Sequence, residues 1–183
     1  MSKNKWQIWI DTGGTFTDCI AISPDGERCR EKVLSIGSLR GTLLKRAEKG
    51  KYEFFHKWKI RRDIFKNYSF KLLDGAGETY NVESIDLEND VIQIDGDFPF
   101  SDDECDFEIT AGEEAPVLAM RIITETALDE DFPPIDMRLG TTKGTNAILE
   151  DKGVEVTFLV TKGFKDLIRI GNQARPNIFQ LNI

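Results

Sequence analysis

The sequence predicts a mixed α/β domain interrupted by a small all-β module. Three observations carry that prediction: a three-stranded opening, a middle section of short alternating runs, and a closing stretch in which helices and strands alternate.

Residues 6–11, 16–22 and about 28–35 are short apolar runs joined by tight turns, "TGGT" and then "SPDG" at Ser23–Gly26. They form an antiparallel meander. From Gly37 onward the only helical period is a short "LRGTLLKRAEKG". Otherwise "YEFFHKWKI", "YSFKLL", "ESIDL", "DVIQID" and "DFEITA" follow one another, separated by "DGAGE", "END" and "DGD". These are strand-length runs with turn chemistry between them. A different pattern resumes with "GEEAPVLAMRIITETAL", which is helical: Glu113 and Glu114 suit the positive end of the helix dipole, Pro116 suits the first turn, and apolar residues run nearly all round. "PPIDMRLGTT" is then a strand, "KGTNAILEDKG" a short helix closed by Gly153, "VEVTFLVT" a buried strand, and "KGFKDLIRIG" a short helix stopped by Gly171. The domain so predicted comprises residues 1–36 and 112–183, with residues 37–111 as the inserted β-rich module. The tail "NQARPNIFQLNI" ends in mid-pattern, as expected of a piece cut from a longer chain.

Composition narrows the function classes. The 183 residues are 40% hydrophobic and 31% charged, the balance of a soluble globular protein. No stretch approaches the roughly 20 apolar residues that span a bilayer, and the start "MSKNKWQIWIDTGG" lacks the apolar core of a signal peptide. Cys19, Cys29 and Cys105 are too scattered for a disulfide framework or a zinc knuckle. A cytoplasmic protein with reduced thiols and no membrane partner is expected. The net charge of −8 is segregated: residues 36–71 hold eleven Lys/Arg against three Asp/Glu, whereas residues 72–135 hold nineteen acids against Arg121 alone. Basic and acidic strands that neutralise each other within the module account for this. The acidic block argues against nucleic acid as a partner.

The stretch "DTGGTFTD" carries the chemistry. A tight turn built on Gly13 and Gly14 exposes backbone N–H groups in a concave nest that suits phosphate oxygens. The hydroxyls of Thr12, Thr15 and Thr17 are candidate additional donors. Asp11 would repel a bare phosphate, and it makes sense if a Mg²⁺ ion lies between, held directly or through water. A glycine hairpin with solvated threonines is the bland alternative. A second site, "LGTTKGTNAI", ends a strand and opens a helix with Thr141, Thr142, Gly144, Thr145 and Asn146, again an anion-binding position. Simple N-capping by Thr141 or Thr142 is its alternative.

Other chemistries lack their residues. There is no G-x-x-x-x-G-K-[ST], and "DGAGET" is not followed by a helix. His56, the sole histidine, lies in the module, away from any nucleophile of the flanking segments. "DGDFPFSDDE" and "DLEND" lack EF-hand spacing and read as solvated turns. Cys19, in an apolar strand, is a core residue.

Taken together, "DTGGTFTD" at Asp11–Asp18, "RLGTTKGTNAILEDKG" at Arg138–Gly153 and "TKGFKDLIRIGNQARPNIFQL" at Thr161–Leu181 resemble the hydantoinase/oxoprolinase family, in the N-terminal region of its A-type subunit or half. "EKVLSIGSLRG" and "EEAPVLAMRIITETAL" are most similar to the 5-oxoprolinase-like members, which fuse A-type and B-type halves. The resemblance covers roughly residues 6–42 and 112–183; the middle module matches loosely. It implies a ribonuclease-H-like core of the hexokinase–actin–chaperone ATPase superfamily, in which the first β-hairpin turn contacts ATP phosphates. It also implies ATP-dependent opening of a cyclic amide such as 5-oxoproline, with ATP and Mg²⁺ required. Carried over residue by residue, Gly13, Gly14 and Thr15 are the phosphate cradle, supported by Thr12 and Thr17. Asp11 positions Mg²⁺ or water and is the catalytic candidate. Thr141, Thr142 and Asn146 line the same cleft. Asp18 follows the motif and is open between a structural and a functional role, and Arg175, in "NQARP", is a candidate to approach substrate or an inter-segment contact. The partners implied are a small cyclic amide and the remainder of the same chain or a B-type subunit, with a homo-oligomer left open. The superfamily cleft lies between two subdomains, of which this chain supplies one, so the isolated piece is expected to fold without turning over.

Two rivals remain at this stage. Hydantoins, or acetone in the related carboxylases, would keep the fold and change the substrate. A non-catalytic module would instead use the charge-segregated insert to dock a partner; it predicts that charge reversal across Lys57–Lys66 abolishes activity while Asp11→Ala does not.

Overall fold

The computed structural model describes residues 5–73, 77–100 and 104–171 and contains two sheets, one open and one closed. The open sheet begins with β1 (Trp6–Thr12), β2 (Phe16–Ile22) and β3 (Arg28–Leu34), the antiparallel meander expected from the turns. Alternation places Ile8, Ile10 and Thr12 of β1, with Thr17, Cys19 and Ala21 of β2, on one buried face. Trp9 and Asp11 fall on the other.

The chain then leaves the sheet and forms a six-stranded closed barrel. Its strands are β4 (Leu39–Glu48), β5 (Lys51–Phe55), β6 (Ser69–Leu72), β7 (Thr79–Asp86), β8 (Val91–Ile94) and β9 (Cys105–Thr110), in the order β4-β5-β8-β7-β6-β9. The core is aromatic. Phe107 lies 5.1 Å from Phe70 and 5.7 Å from Phe54, ring centre to centre, and Tyr52 stacks on Phe98 at 4.6 Å. The segregated charges meet within this module: Arg46 pairs with Asp97 at 2.5 Å, and Lys71 and Arg40 converge on Glu108 at 2.9 and 3.3 Å.

One element of the module corrects the sequence expectation. Leu39–Glu48, whose spacing suggests a short helix, is the strand β4, paired with β5 and β9. Two register shifts against β5, between Leu43/Lys45 and Arg46/Glu48, interrupt its alternation and give it a helix-like pattern of apolar residues. Ladder bonds on both sides override that weak local preference.

The barrel begins and ends at one place. Gly37, just before β4, has φ +75°, and a Cβ there would stand 2.1 Å from the Glu113 carbonyl oxygen, so only glycine fits. Thr110 Oγ1 donates to the Gly37 carbonyl at 2.7 Å.

After the barrel, α1 (Ala115–Thr124) packs on β3, β2 and β1 through Leu118, Ala119 and Ile122, with Pro116 in its first turn. The small side chains Cys19 and Ala21 form part of the buried face opposite it. Arg121, itself buried, forms a fork with Glu113 at 2.7 and 2.8 Å and donates to the Ala127 carbonyl at 2.6 Å, fixing the exit from the helix. Then β10 (Ile135–Thr141) joins β1 in parallel, giving the order β10-β1-β2-β3. A parallel neighbour requires a long crossover, which the barrel and α1 supply.

Two short helices follow, α2 (Lys143–Leu149) and α3 (Leu167–Ile170). α2 ends at Glu150, ahead of the expected Gly153, whereas α3 ends at Gly171. The expected buried strand "VEVTFLVT" is not one. Val154–Thr161 joins no ladder among the described residues, and Val154 and Leu159 are 86% and 88% exposed. A β-prone sequence needs a neighbour to pair with, and among the described residues β10 is paired only with β1. No helix is long and apolar enough to cross a membrane among the described residues.

Candidate functional site

The β1–β2 turn spans Gly13–Thr15, held by the Gly13 N–H donating to the Phe16 carbonyl at 3.0 Å. Among the described residues, the amides of Gly14 and Thr15 take no backbone partner. Gly14 and Thr15 are exposed, as an anion-binding turn requires.

The parallel register of β1 and β10 brings the second motif to this turn. Asp11 stands opposite Gly140 and Thr12 opposite Thr141. The next residue, Thr142, donates its N–H to the Thr12 carbonyl at 3.1 Å. Asn146 reaches the turn from α2: a Cβ on Gly14 would lie 3.4 Å from Asn146 Nδ2, which itself sits 3.5 Å from Thr142 Oγ1. Thr141 Oγ1 accepts the Lys143 N–H at 3.1 Å, a turn just ahead of α2, whose N-cap residue Thr142 makes no side-chain capping bond. So Gly13, Gly14, Thr142 and Asn146, far apart in sequence, converge at the C-terminal ends of two parallel strands.

The threonines divide by strand parity. Thr15 is exposed at the turn. Thr12 and Thr17 are buried on the face that carries α1, so their hydroxyls differ in placement from the exposed donors the sequence suggests. Thr17 Oγ1 is engaged with Ser35 Oγ at 3.1 Å, while Thr12 Oγ1 is buried without a partner among the described residues. Ser35 escaped the sequence reading because nothing local to "VLSIGS" marks a contact with the turn. The meander itself held the signal: an antiparallel third strand must end beside the first turn.

Asp11 is exposed on the opposite face, directly across the ladder from Asp18. Asp18 is paired with Arg30 at 3.2 Å and Lys32 at 3.8 Å, whereas Asp11 has no ion pair among the described residues. An open cleft of about 520 Å³ borders Asp11, Asp18, Arg138 and Gly140. Asp11 is thus an uncommitted carboxylate facing open space, which fits a residue that holds a hydrated cation. No cluster of three or more His, Cys, Asp and Glu side chains forms a preassembled metal site among the described residues. Cys19 is unsuited to nucleophilic chemistry: burial, reinforced by Glu31, pushes its thiol up to about 12. Arg175 lies outside the described residues.

Comparison with known proteins adds a family likeness. Residues 102–183 match the hydantoinase/oxoprolinase N-terminal region; the opening turn lies ahead of that match. The chain is 48% identical over 80 residues to 5-oxoprolinase 1 of Arabidopsis thaliana, covering 39% of this chain and 6% of the relative. It is 62% identical over 47 residues to a 5-oxoprolinase of Dictyostelium discoideum, covering 26% and 4%, and 42% identical over 79 residues to that of Saccharomyces cerevisiae, covering 38% and 6%. It therefore spans only 4–6% of the length of these relatives. No solved structure matches. Residues 102–183, somewhat under half of the chain, are thus similar to the N-terminal region of the hydantoinase/oxoprolinase family.

Proposed function

We propose that this chain is the ATP-phosphate-binding part of an ATP-dependent cyclic-amide hydrolase, with 5-oxoproline as substrate and L-glutamate, ADP and phosphate as products. The observation that carries the proposal is the convergence of the Gly13–Thr15 turn with Thr142 and Asn146 at the end of a parallel strand pair. The relatives named as 5-oxoprolinases favour that substrate over hydantoins or acetone. The β10-β1-β2-β3 order, with its antiparallel meander and parallel fourth strand, is compatible with a ribonuclease-H-like core.

A five-membered lactam resists hydrolysis because its amide nitrogen is a poor leaving group. Attack of the lactam oxygen on the γ-phosphorus of ATP expels ADP and leaves an activated carbon. Water then adds at that carbon, and the tetrahedral adduct collapses by breaking the C–N bond, with the nitrogen leaving as a protonated amine. A second water hydrolyses the resulting acyl phosphate to L-glutamate and phosphate. Such transfer asks the protein mainly for positioning and charge neutralisation. The Gly14 and Thr15 amides receive phosphate oxygens, and the Asn146 amide group closes the turn from the other side. Asp11 would hold Mg²⁺ directly or through water, and the ion would neutralise phosphate charge. The remainder of the same chain, or a B-type subunit, supplies the lactam site.

ADP release by the protein that carries this chain tests the proposal, with Mg·ATP and either 5-oxoproline, hydantoin or no addition. Release driven by 5-oxoproline and reduced at least a hundredfold by Asp11→Ala is expected. Release driven only by hydantoin moves the substrate, and full activity in Asp11→Ala removes the role given to the turn.

A further inference from the structure

Ser35 follows β3 directly, where the chain leaves the open sheet for the barrel. It makes three contacts with the β1–β2 hairpin. Its N–H donates to the Thr15 carbonyl at 2.9 Å, its hydroxyl donates to the Gly13 carbonyl at 2.9 Å, and the same hydroxyl lies 3.1 Å from Thr17 Oγ1. Carbonyls on both sides of Gly14 are thereby pinned by one residue. The C=O and N–H of a trans peptide point in opposite directions. Fixing the Gly13 carbonyl toward Ser35 therefore aims the Gly14 N–H to the other side of the turn.

Ser35 is in turn anchored to the barrel. The Gly37 N–H donates to the Leu34 carbonyl at 2.9 Å, and the Gly37 carbonyl accepts from Thr110. Ser38 Oγ donates to the buried carboxylate of Glu108 at 3.0 Å. The four residues Ser35–Ser38 are tied at one end to the turn and at the other to the first and last barrel strands.

We infer that Ser35 is a positioning residue that locks the Gly13–Gly14 peptide, so that the Gly14 N–H is presented to a phosphate oxygen. The ligand rests on the function proposed above; the lock rests on the hydrogen bonds alone.

Backbone ¹⁵N relaxation of the 183-residue chain separates the two, combined with a Mg·ATP titration followed at the Gly14 amide. Ser35→Ala is expected to lower the order parameters of Gly13–Thr15 from about 0.85 to below about 0.6 while β1 and β2 keep theirs. It should weaken Mg·ATP about tenfold, the worth of one well-placed hydrogen bond. Ser35→Thr, which keeps the hydroxyl, should restore both. If Ser35→Ala does not fold, Thr17→Val, which removes the hydroxyl's neighbour, should give a smaller change in the same direction. An unchanged turn in Ser35→Ala, or in Thr17→Val where that variant stands in, overturns the lock, as does unchanged affinity where the native chain binds. A native Gly14 amide that ignores Mg·ATP, in a turn that Ser35→Ala still loosens, overturns the phosphate role and leaves the lock standing.

Discussion

The barrel and the open sheet satisfy their strands in different ways. Every barrel strand has two neighbours, and the aromatic side chains of Tyr52, Phe54, Phe70 and Phe107 are almost wholly buried within it. In the open sheet, β10 is paired on one edge only among the described residues. α1 covers β3, β2 and β1, and Met137 and Leu139 of β10 stay half-exposed on the face where their register partners Ile8 and Ile10 are buried. Closure lets a small β module hold itself together without help. The candidate-site motifs sit instead in the open sheet, where among the described residues the Gly14 and Thr15 amides take no backbone partner.

Substitutions in the two regions should therefore differ sharply. Phe107→Ala removes the ring shared by Phe54 and Phe70 and is expected to cost about 3–5 kcal/mol. The urea midpoint and the near-ultraviolet circular dichroism of the barrel report it. A smaller effect is expected at Glu108, where Glu108→Gln should cost about 1–3 kcal/mol through its weakened bonds to Lys71, Ser38 and Arg40. Although burial opposes the charge of Glu108, these three partners hold its carboxyl below the ordinary value of 4.5. A depressed folded value means that the stabilisation is complete above the ordinary value and is lost as pH falls through the folded one. Thermal melts of the native chain should drop on acidification below pH 4.5, and Glu108→Gln should flatten that drop. The smallest effect is expected on the open sheet: Leu139→Ser, at a residue 51% exposed, should change stability by no more than about 0.5 kcal/mol. A loss of 2 kcal/mol or more, in the range of a buried leucine, would mean that this face is covered in solution, and the contrast between the regions would fail.

Where local chemistry governs, the sequence was legible. Gly13–Gly14 and "SPDG" mark tight turns, and the three strands they join appear as β1, β2 and β3. "YSFKLL" and "DVIQID" contain β6 and β8, "DFEITA" covers all of β9 but its first residue, and α1 starts where Pro116 suits a first turn. Elements that depend on distant partners were misread or missed. β4 depends on β5 and β9 for its ladders. Val154–Thr161 has strand composition but no paired neighbour among the described residues. The same division runs through the candidate site. The glycines and Asn146 were visible as motif residues, and the β1–β10 register brings them together. The inward direction of Thr12 and Thr17 follows from strand parity, which a motif does not state.

The meeting of Gly37 with Thr110 and Glu113 also bears on how this chain tolerates change in length. Seen from the open sheet, the barrel is a detour that returns to its point of departure. Loop-closure entropy grows only with the logarithm of loop length, roughly 0.6 kcal/mol for each doubling. The sheet is therefore nearly indifferent to how much chain runs between these residues, provided the two ends come back side by side. Gly37 and Glu113 mark a splice point, where a shorter hairpin or a larger foreign module with adjacent ends would leave β1, β2, β3 and α1 where they stand.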